Sequence, residues 1–158
     1  NSCVAFRNAV PVSWKQDGYL KKFYITYMDP SVETPAITSA EGGIQVLDPN
    51  VAMEVMDNTA PFEIEGKAPV QKNHTLFTND AGNFFVGTWE SGPMVSKMLP
   101  FPTHEFVRML EGEVTITEQD GTSQTFVGGD CFFVPKGTVC SWTIPAHVKK
   151  HYAILDAG

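Results

Sequence analysis

The chain has 158 residues, 42% of them hydrophobic, which is enough to bury one sizeable core and short for two full domains. Its formal net charge of -7 sets up a field that repels phosphate backbones and anionic bilayer surfaces, so neither nucleic acid nor a membrane is an expected partner. The longest apolar stretches are strand-length, as at Cys131 to Pro135, and fall well short of the roughly 20 residues a membrane-spanning helix needs.

In chain order, the first feature is an internal repeat. Residues 3–25 align without gaps on residues 131–153 at an offset of 128. Cys3, Ser13, Trp14, Lys21, Lys22 and Tyr24 fall on Cys131, Ser141, Trp142, Lys149, Lys150 and Tyr152, and Leu20 faces Val148. Chance matching is the competing reading. If the repeat is real, residues 1–28 are strands copied from the end of a preceding unit. Orphan strands need a sheet edge, so they either augment the barrel of this chain or pair with a second chain. Residues 29–69 read as a linker with short strands, because Pro, Gly, Glu and Thr are scattered through it and only Ile44 to Leu47 and Val51 to Met56 are apolar. A helix over residues 50–57 fits the composition but has no capping pattern.

Residues 70–158 carry strand signals throughout, short β-branched and aromatic runs separated by turn residues. The runs are Asn83 to Trp89, Glu105 to Leu110, Glu113 to Thr117, Gln124 to Val127, Cys131 to Val134, Val139 to Thr143 and Lys149 to Leu155. Between them, Glu111-Gly112 reads as a turn, Asp120-Gly121 as a hairpin, and Gly128-Gly129-Asp130 and Pro135-Lys136-Gly137 as tight reversals. The expected fold is all-β, an antiparallel barrel of about seven strands in this region.

Three cysteines, Cys3, Cys131 and Cys140, show no CxxC or Cys/His spacing, which argues against a disulfide scaffold or a structural zinc site and fits a reducing cytoplasm. The chain starts without Met and without a charged-then-apolar leader, so trimmed ends are expected.

Two spacings place a pocket: Glu105, six residues, Gly112; and Gly129, five residues, Pro135-Lys136-Gly137. Together they resemble the two cupin motifs. Gly87-Thr88-Trp89-Glu90, Glu105-Phe106, Leu110 to Val114, Gly129-Asp130, Val134 to Gly137, Ser141-Trp142 and Val148-Lys149-Lys150 are similar to the ureidoglycine aminohydrolase-like cupins in particular. The resemblance implies a double-stranded β-helix, or jelly roll, over residues 70–155, and an enzyme acting on a small ureido or amino acid compound with a divalent metal. It also implies, by analogy, a homodimer paired through sheet edges. The usual ligand spacing would put histidines at Leu99, Phe101 and Cys140, so of that set only Glu105 remains. A transition metal normally takes three or four protein ligands, and the expectation is therefore no metal cofactor, or a weakly held divalent ion.

Alternation sends His104 and Glu105 to opposite faces unless a bulge intervenes, and Glu105 is the better inward candidate, as a general acid or base, a ligand contact, or a structural hydrogen-bonding group. A carboxylate facing an apolar cavity needs a cation or a raised pKa, and Lys97, Lys149 or His151 could supply the charge. His104 reads as a rim residue. Cys140 shares a face with Trp142 and points into the cavity, as an inert buried thiol or a nucleophile. Trp89 and Trp142 wall the pocket or pack the core. His74 and His147 fall in loops, and which of His151 and Tyr152 points inward is open. The candidate catalytic residues are thus Glu105 and Cys140, with Lys97, Trp89, Trp142, His151 and His104 for substrate. Three functions follow: a barrel that binds a small polar organic molecule without a full metal-ligand set, the metal-dependent ureido enzyme, and an assembly module that pairs through its N-terminal strands.

Overall fold

Every regular element among the described residues is a strand, as the turn-punctuated apolar runs demand. The computed structural model describes residues 2–8, 11–28 and 43–158, and its contacts divide into two units, Asn1–Val46 and Leu47–Gly158. Part of the stretch read as a linker, residues 29–42, lies outside the described residues.

In the first unit β1 (Cys3–Ala5) pairs with β2 (Gln45–Leu47), which ends at the boundary between the units. Residues 11–28 include no strand. Lys22 Nζ sits 4.6 Å from the Trp14 ring centroid and 5.6 Å from that of Tyr24.

The second unit is a curled antiparallel sheet of ten strands. It comprises β3 (Glu54–Val55), β4 (Gln71–Thr78), β5 (Phe84–Ser91), β6 (Met94–Val95), β7 (Leu99–Pro100), β8 (His104–Glu118), β9 (Ser123–Val127), β10 (Cys131–Val134), β11 (Val139–Ile144) and β12 (Val148–Leu155). The hydrogen-bonded order is β3-β4-β5-β12-β8-β11-β6, with β9 and β10 also on β8 and β7 on β11. This is the all-β jelly-roll architecture expected from the motifs.

Three local expectations are corrected. Glu111-Gly112 is no hairpin, because β8 runs unbroken for 15 residues. Gly112 has φ +75°, and a Cβ there would strike the His147 carbonyl, so the glycine bends the strand beneath the β11–β12 loop instead of reversing it. Its first part then pairs with β10 and β12 and its second with β9 and β11, and one strand serves both walls. Residues 50–57 form no helix; Glu54–Val55 pairs with Asn73 and Lys72 of β4. His74 lies in that same strand β4, paired with Thr88, and not in a loop.

The core fills the inside of the curl. Val107, Met109, Val114, Trp142, Ile144 and Val148 are fully buried, contributed by β8, β11 and β12. Burial of such side chains is worth about 1.5–3 kcal/mol each, and this is what holds the two walls together.

Candidate functional site

Glu105 is the second residue of β8, directly opposite Val134 of β10 and Ile154 of β12. Lys150 lies four residues before Ile154 on β12, about 13 Å away at the usual rise of a strand. The two side chains meet by lying along the barrel axis toward each other. Lys150 Nζ donates to Glu105 Oε1 at 2.7 Å, and each side chain is only 3% exposed. The ammonium also sits 4.7 Å from the Trp89 centroid and 4.5 Å from that of Trp142, against the negative faces of both rings. Trp89 is the cross-strand partner of Lys150, which fixes that contact by register.

Lys150 is the functional-site residue that sequence reasoning missed. β12 keeps its alternation throughout, so Val148, Lys150 and Tyr152 are buried on one face while Lys149 is only partly so; the register shift beside Lys150 leaves the extra residue, Leu110, on β8. The cations expected beside Glu105 go elsewhere. Lys97 pairs with Glu63 at 3.0 Å on the surface. His151 faces away from Lys150 and shares a 2.9 Å hydrogen bond between its Nδ1 and Thr88 Oγ1. Burial pushes the His151 imidazole down to about 4, the positive charges of Lys149 and Arg108 add to the shift, and Asp48 opposes it. His151 is therefore neutral at pH 7. His104 is at the rim, its Nδ1 accepting the Lys136 backbone N–H at 3.1 Å and its ring stacked on Phe133 with centroids 6.0 Å apart. The barrel thus gathers Glu105, Trp89 and Trp142 around Lys150 with Cys140 beside Trp142; Lys97 reaches only the hollow that Cys140 and Trp142 line, and His104 and His151 stand apart.

Aromatic rings take up most of the remaining interior. Phe101 stacks on Trp142 at 5.6 Å with planes 12° apart. Phe62, carried by the irregular segment before β4, reaches in to 5.2 Å from the Trp142 centroid, 6.0 Å from Trp89 and 6.1 Å from Phe101. No periodic pattern surrounds Phe62, so nothing in the sequence flags it as a plug. What is left is a hollow of about 20 Å³ at the mouth, lined by Phe62, Lys97, Leu99, Phe101, Cys140 and Trp142, with room for about one water.

Two polar features border that hollow. The Trp142 indole N–H is buried with no hydrogen-bond partner of good geometry. Burial raises the pKa of the adjacent Cys140 thiol; the Trp142 N–H pulls it down somewhat and the Glu118 carboxylate pushes it up. A thiol held protonated in this way is a poor nucleophile. Tyr152, also inward, has its Oη 3.2 Å from Thr75 Oγ1. Its pKa is raised by burial first, with the Glu105 charge adding to this and hydrogen bonds from Thr75 and Asn73 opposing.

The donor set does not fit a metal centre. Phe101 fills the interior with a ring, Leu99 stands at the mouth, Cys140 is protonated, and the carboxylate of Glu105 is engaged by an ammonium. Among the described residues no three His, Cys, Asp or Glu side chains come together in a way that could hold an ion. Nor is any helix among them long and apolar enough to cross a membrane.

Comparison with known proteins agrees with this architecture. Residues 78–152 match the EutQ-like cupin domain family. A protein of unknown function from Pseudomonas syringae pv. tomato is 30% identical with a TM-score of 0.66, over 71% of this chain and 48% of that one. The present chain therefore spans about half the length of that relative. The EutQ protein of Clostridium difficile is similar at 20% identity and a TM-score of 0.58, over 74% of this chain and 90% of its own. A Salmonella typhimurium protein assigned to ethanolamine utilization has the same identity and TM-score, over 77% and 93%. At 20% identity these two speak for the fold alone. A search of curated proteins finds no match.

Proposed function

We propose that this cupin-type barrel binds a small polar organic molecule without a metal, and that Lys150 and Glu105 are the polar groups that receive it. The observation that carries the reading is the buried ion pair itself. An ammonium and a carboxylate, each 3% exposed and enclosed by two indoles, are an expensive thing to keep inside an apolar barrel, and ionisable pairs in such places cluster at functional sites. Lys150 has three N–H donors and directs one at Glu105. The Trp142 indole contributes a further N–H beside the mouth, near the Cys140 thiol and without a well-formed hydrogen bond. Both groups ask for an acceptor, so the ligand presents oxygen atoms: a carboxylate, or the carbonyl of a urea or amide. The likeness of residues 87–90 and 129–137 to ureidoglycine aminohydrolase-like cupins selects ureido acids as the first compounds to try.

In the closed arrangement Phe62 occupies the approach. Its segment is pinned at the surface by the Lys97–Glu63 ion pair, and exposed pairs of this kind contribute about 0–1 kcal/mol. Withdrawing the Phe62 ring forfeits about 2–3 kcal/mol of burial, which leaves the open form at roughly 0.5–3% of the population. Ligand affinity is reduced by that fraction. Phe62→Ala should therefore bind the same ligand about 30-fold or more tightly than the wild type.

The test is a thermal-shift series with ureido acids, amino acids and sugar acids against wild type, Phe62→Ala and Lys150→Met. A ligand that binds only the folded barrel raises its melting temperature. The proposal expects a shift that is larger in Phe62→Ala and absent in Lys150→Met. No shift in either wild type or Phe62→Ala across the panel, or one that survives Lys150→Met unchanged, would count decisively against it.

A further inference from the structure

The repeat of residues 131–153 in residues 3–25 acquires a structural meaning once the second copy is seen in place. In that copy Val134, Cys140, Trp142, Val148, Lys150 and Tyr152 all face the barrel interior. At the same offset the first copy carries Phe6, Val12, Trp14, Leu20, Lys22 and Tyr24, so the inward lysine is again lysine and the inward apolar positions are again apolar except one, Ile144, which corresponds to Gln16. A solvated tail has no reason to repeat this pattern, yet here these side chains are exposed, Trp14 to 65% and Tyr24 to 73%.

The chemistry repeats along with the pattern. Lys22 Nζ stands 4.6 Å from the Trp14 centroid, as Lys150 Nζ stands 4.5 Å from that of Trp142. The lysine–indole contact therefore forms within residues 2–28 by themselves. Missing are the groups that β5 and β8 bring to Lys150, namely the Trp89 indole and the Glu105 carboxylate. Among the described residues no carboxylate pairs with Lys22. Residues 11–28 also include no strand, so they have no ladder partner.

We infer that residues 3–25 are a closing face for an open cupin-type half-barrel, whose inward surface presents a carboxylate and an indole at the places that Glu105 and Trp89 hold here. The partner would supply strands of the β5 and β8 kind; this segment would supply those of the β10, β11 and β12 kind. Docking would bury the exposed aromatic side chains, give Lys22 its counter-charge and occupy the free backbone edge by strand addition.

The test uses the full chain as its own half-barrel. In a chimera, residues 131–153 are replaced by a second copy of residues 3–25. Beside it stands a milder variant carrying only inward changes, Val134→Phe, Cys140→Val, Ile144→Gln and Val148→Leu. The inference expects both to melt cooperatively. It also expects Glu105→Ala to lower the melting temperature of the chimera by as much as it lowers that of the parent, since the lysine copied from Lys22 would then be pairing with Glu105. A chimera without a cooperative transition overturns the inference, whether or not the milder variant folds. So does a chimera that melts cooperatively and is indifferent to Glu105→Ala.

Discussion

Replacing Lys150 by methionine keeps most of the side-chain volume and removes one charge from a pair that water does not reach. Glu105 is then left facing Trp89, Trp142 and the rest of the apolar interior without its ammonium, and breaking a buried pair in this way costs about 3–5 kcal/mol. For a unit of this size that is a fall in melting temperature of roughly 10–20 °C at pH 7. The double variant Glu105→Gln, Lys150→Met removes both charges and should return to within about 1 kcal/mol of the wild type, since well-packed neutral residues replace buried pairs at little loss. The coupling energy from the cycle is then at least about 2–4 kcal/mol, to which the cost of Glu105→Gln alone adds. Thermal denaturation by circular dichroism at pH 7 reads these differences. A Lys150→Met protein within about 1 kcal/mol of wild type at pH 7, or a double variant no better than the single, would refute the claim that the pair is buried and mutually dependent.

Two further outcomes follow from the same interior. Gly87 lies where a Cβ would strike the Tyr152 hydroxyl and the His74 carbonyl, so Gly87→Ala should destabilise by about 1–3 kcal/mol through overpacking; chemical denaturation reads this, and a neutral result would mean that Tyr152 does not occupy that space. His151, with its pKa lowered from 6.5 to about 4, contributes stability that is fully present above pH 6.5 and is lost as pH falls toward 4. The loss is about 3 kcal/mol at most, and His151→Gln should flatten the profile in that window; an unchanged slope would show that another group is responsible.

Much of the barrel was legible because turn chemistry punctuates it. Asp120-Gly121, Gly128-Gly129-Asp130 and Pro135-Lys136-Gly137 all bound strands, and alternation alone places Glu105 inward opposite His104. Where the reading failed, the cause lay in interactions between distant segments. Glu111-Gly112 has the composition of a turn, and only the close pass of the His147 carbonyl shows that Gly112 bends a continuous strand. β4 has the sequence Gln-Lys-Asn-His-Thr-Leu-Phe-Thr, too polar to stand out from its surroundings, and is a strand because β5 offers it an edge. Lys150 escaped although alternation with Val148 and Tyr152 points it inward, because a lysine reads as a surface group by default. Phe62 escaped for a similar reason, since an aperiodic loop carries it into the barrel. Trp89 and Trp142 were legible as aromatic walls, but that they enclose an ammonium was not.

The account rests on Glu105 being engaged by Lys150 and not by a metal ion. Equilibrium dialysis of the full chain against Mn, Fe, Ni and Zn, followed by elemental analysis, measures this directly. The structure predicts bound metal far below one equivalent, and no change on Glu105→Gln. Close to one equivalent retained through dialysis and lost in Glu105→Gln would contradict it.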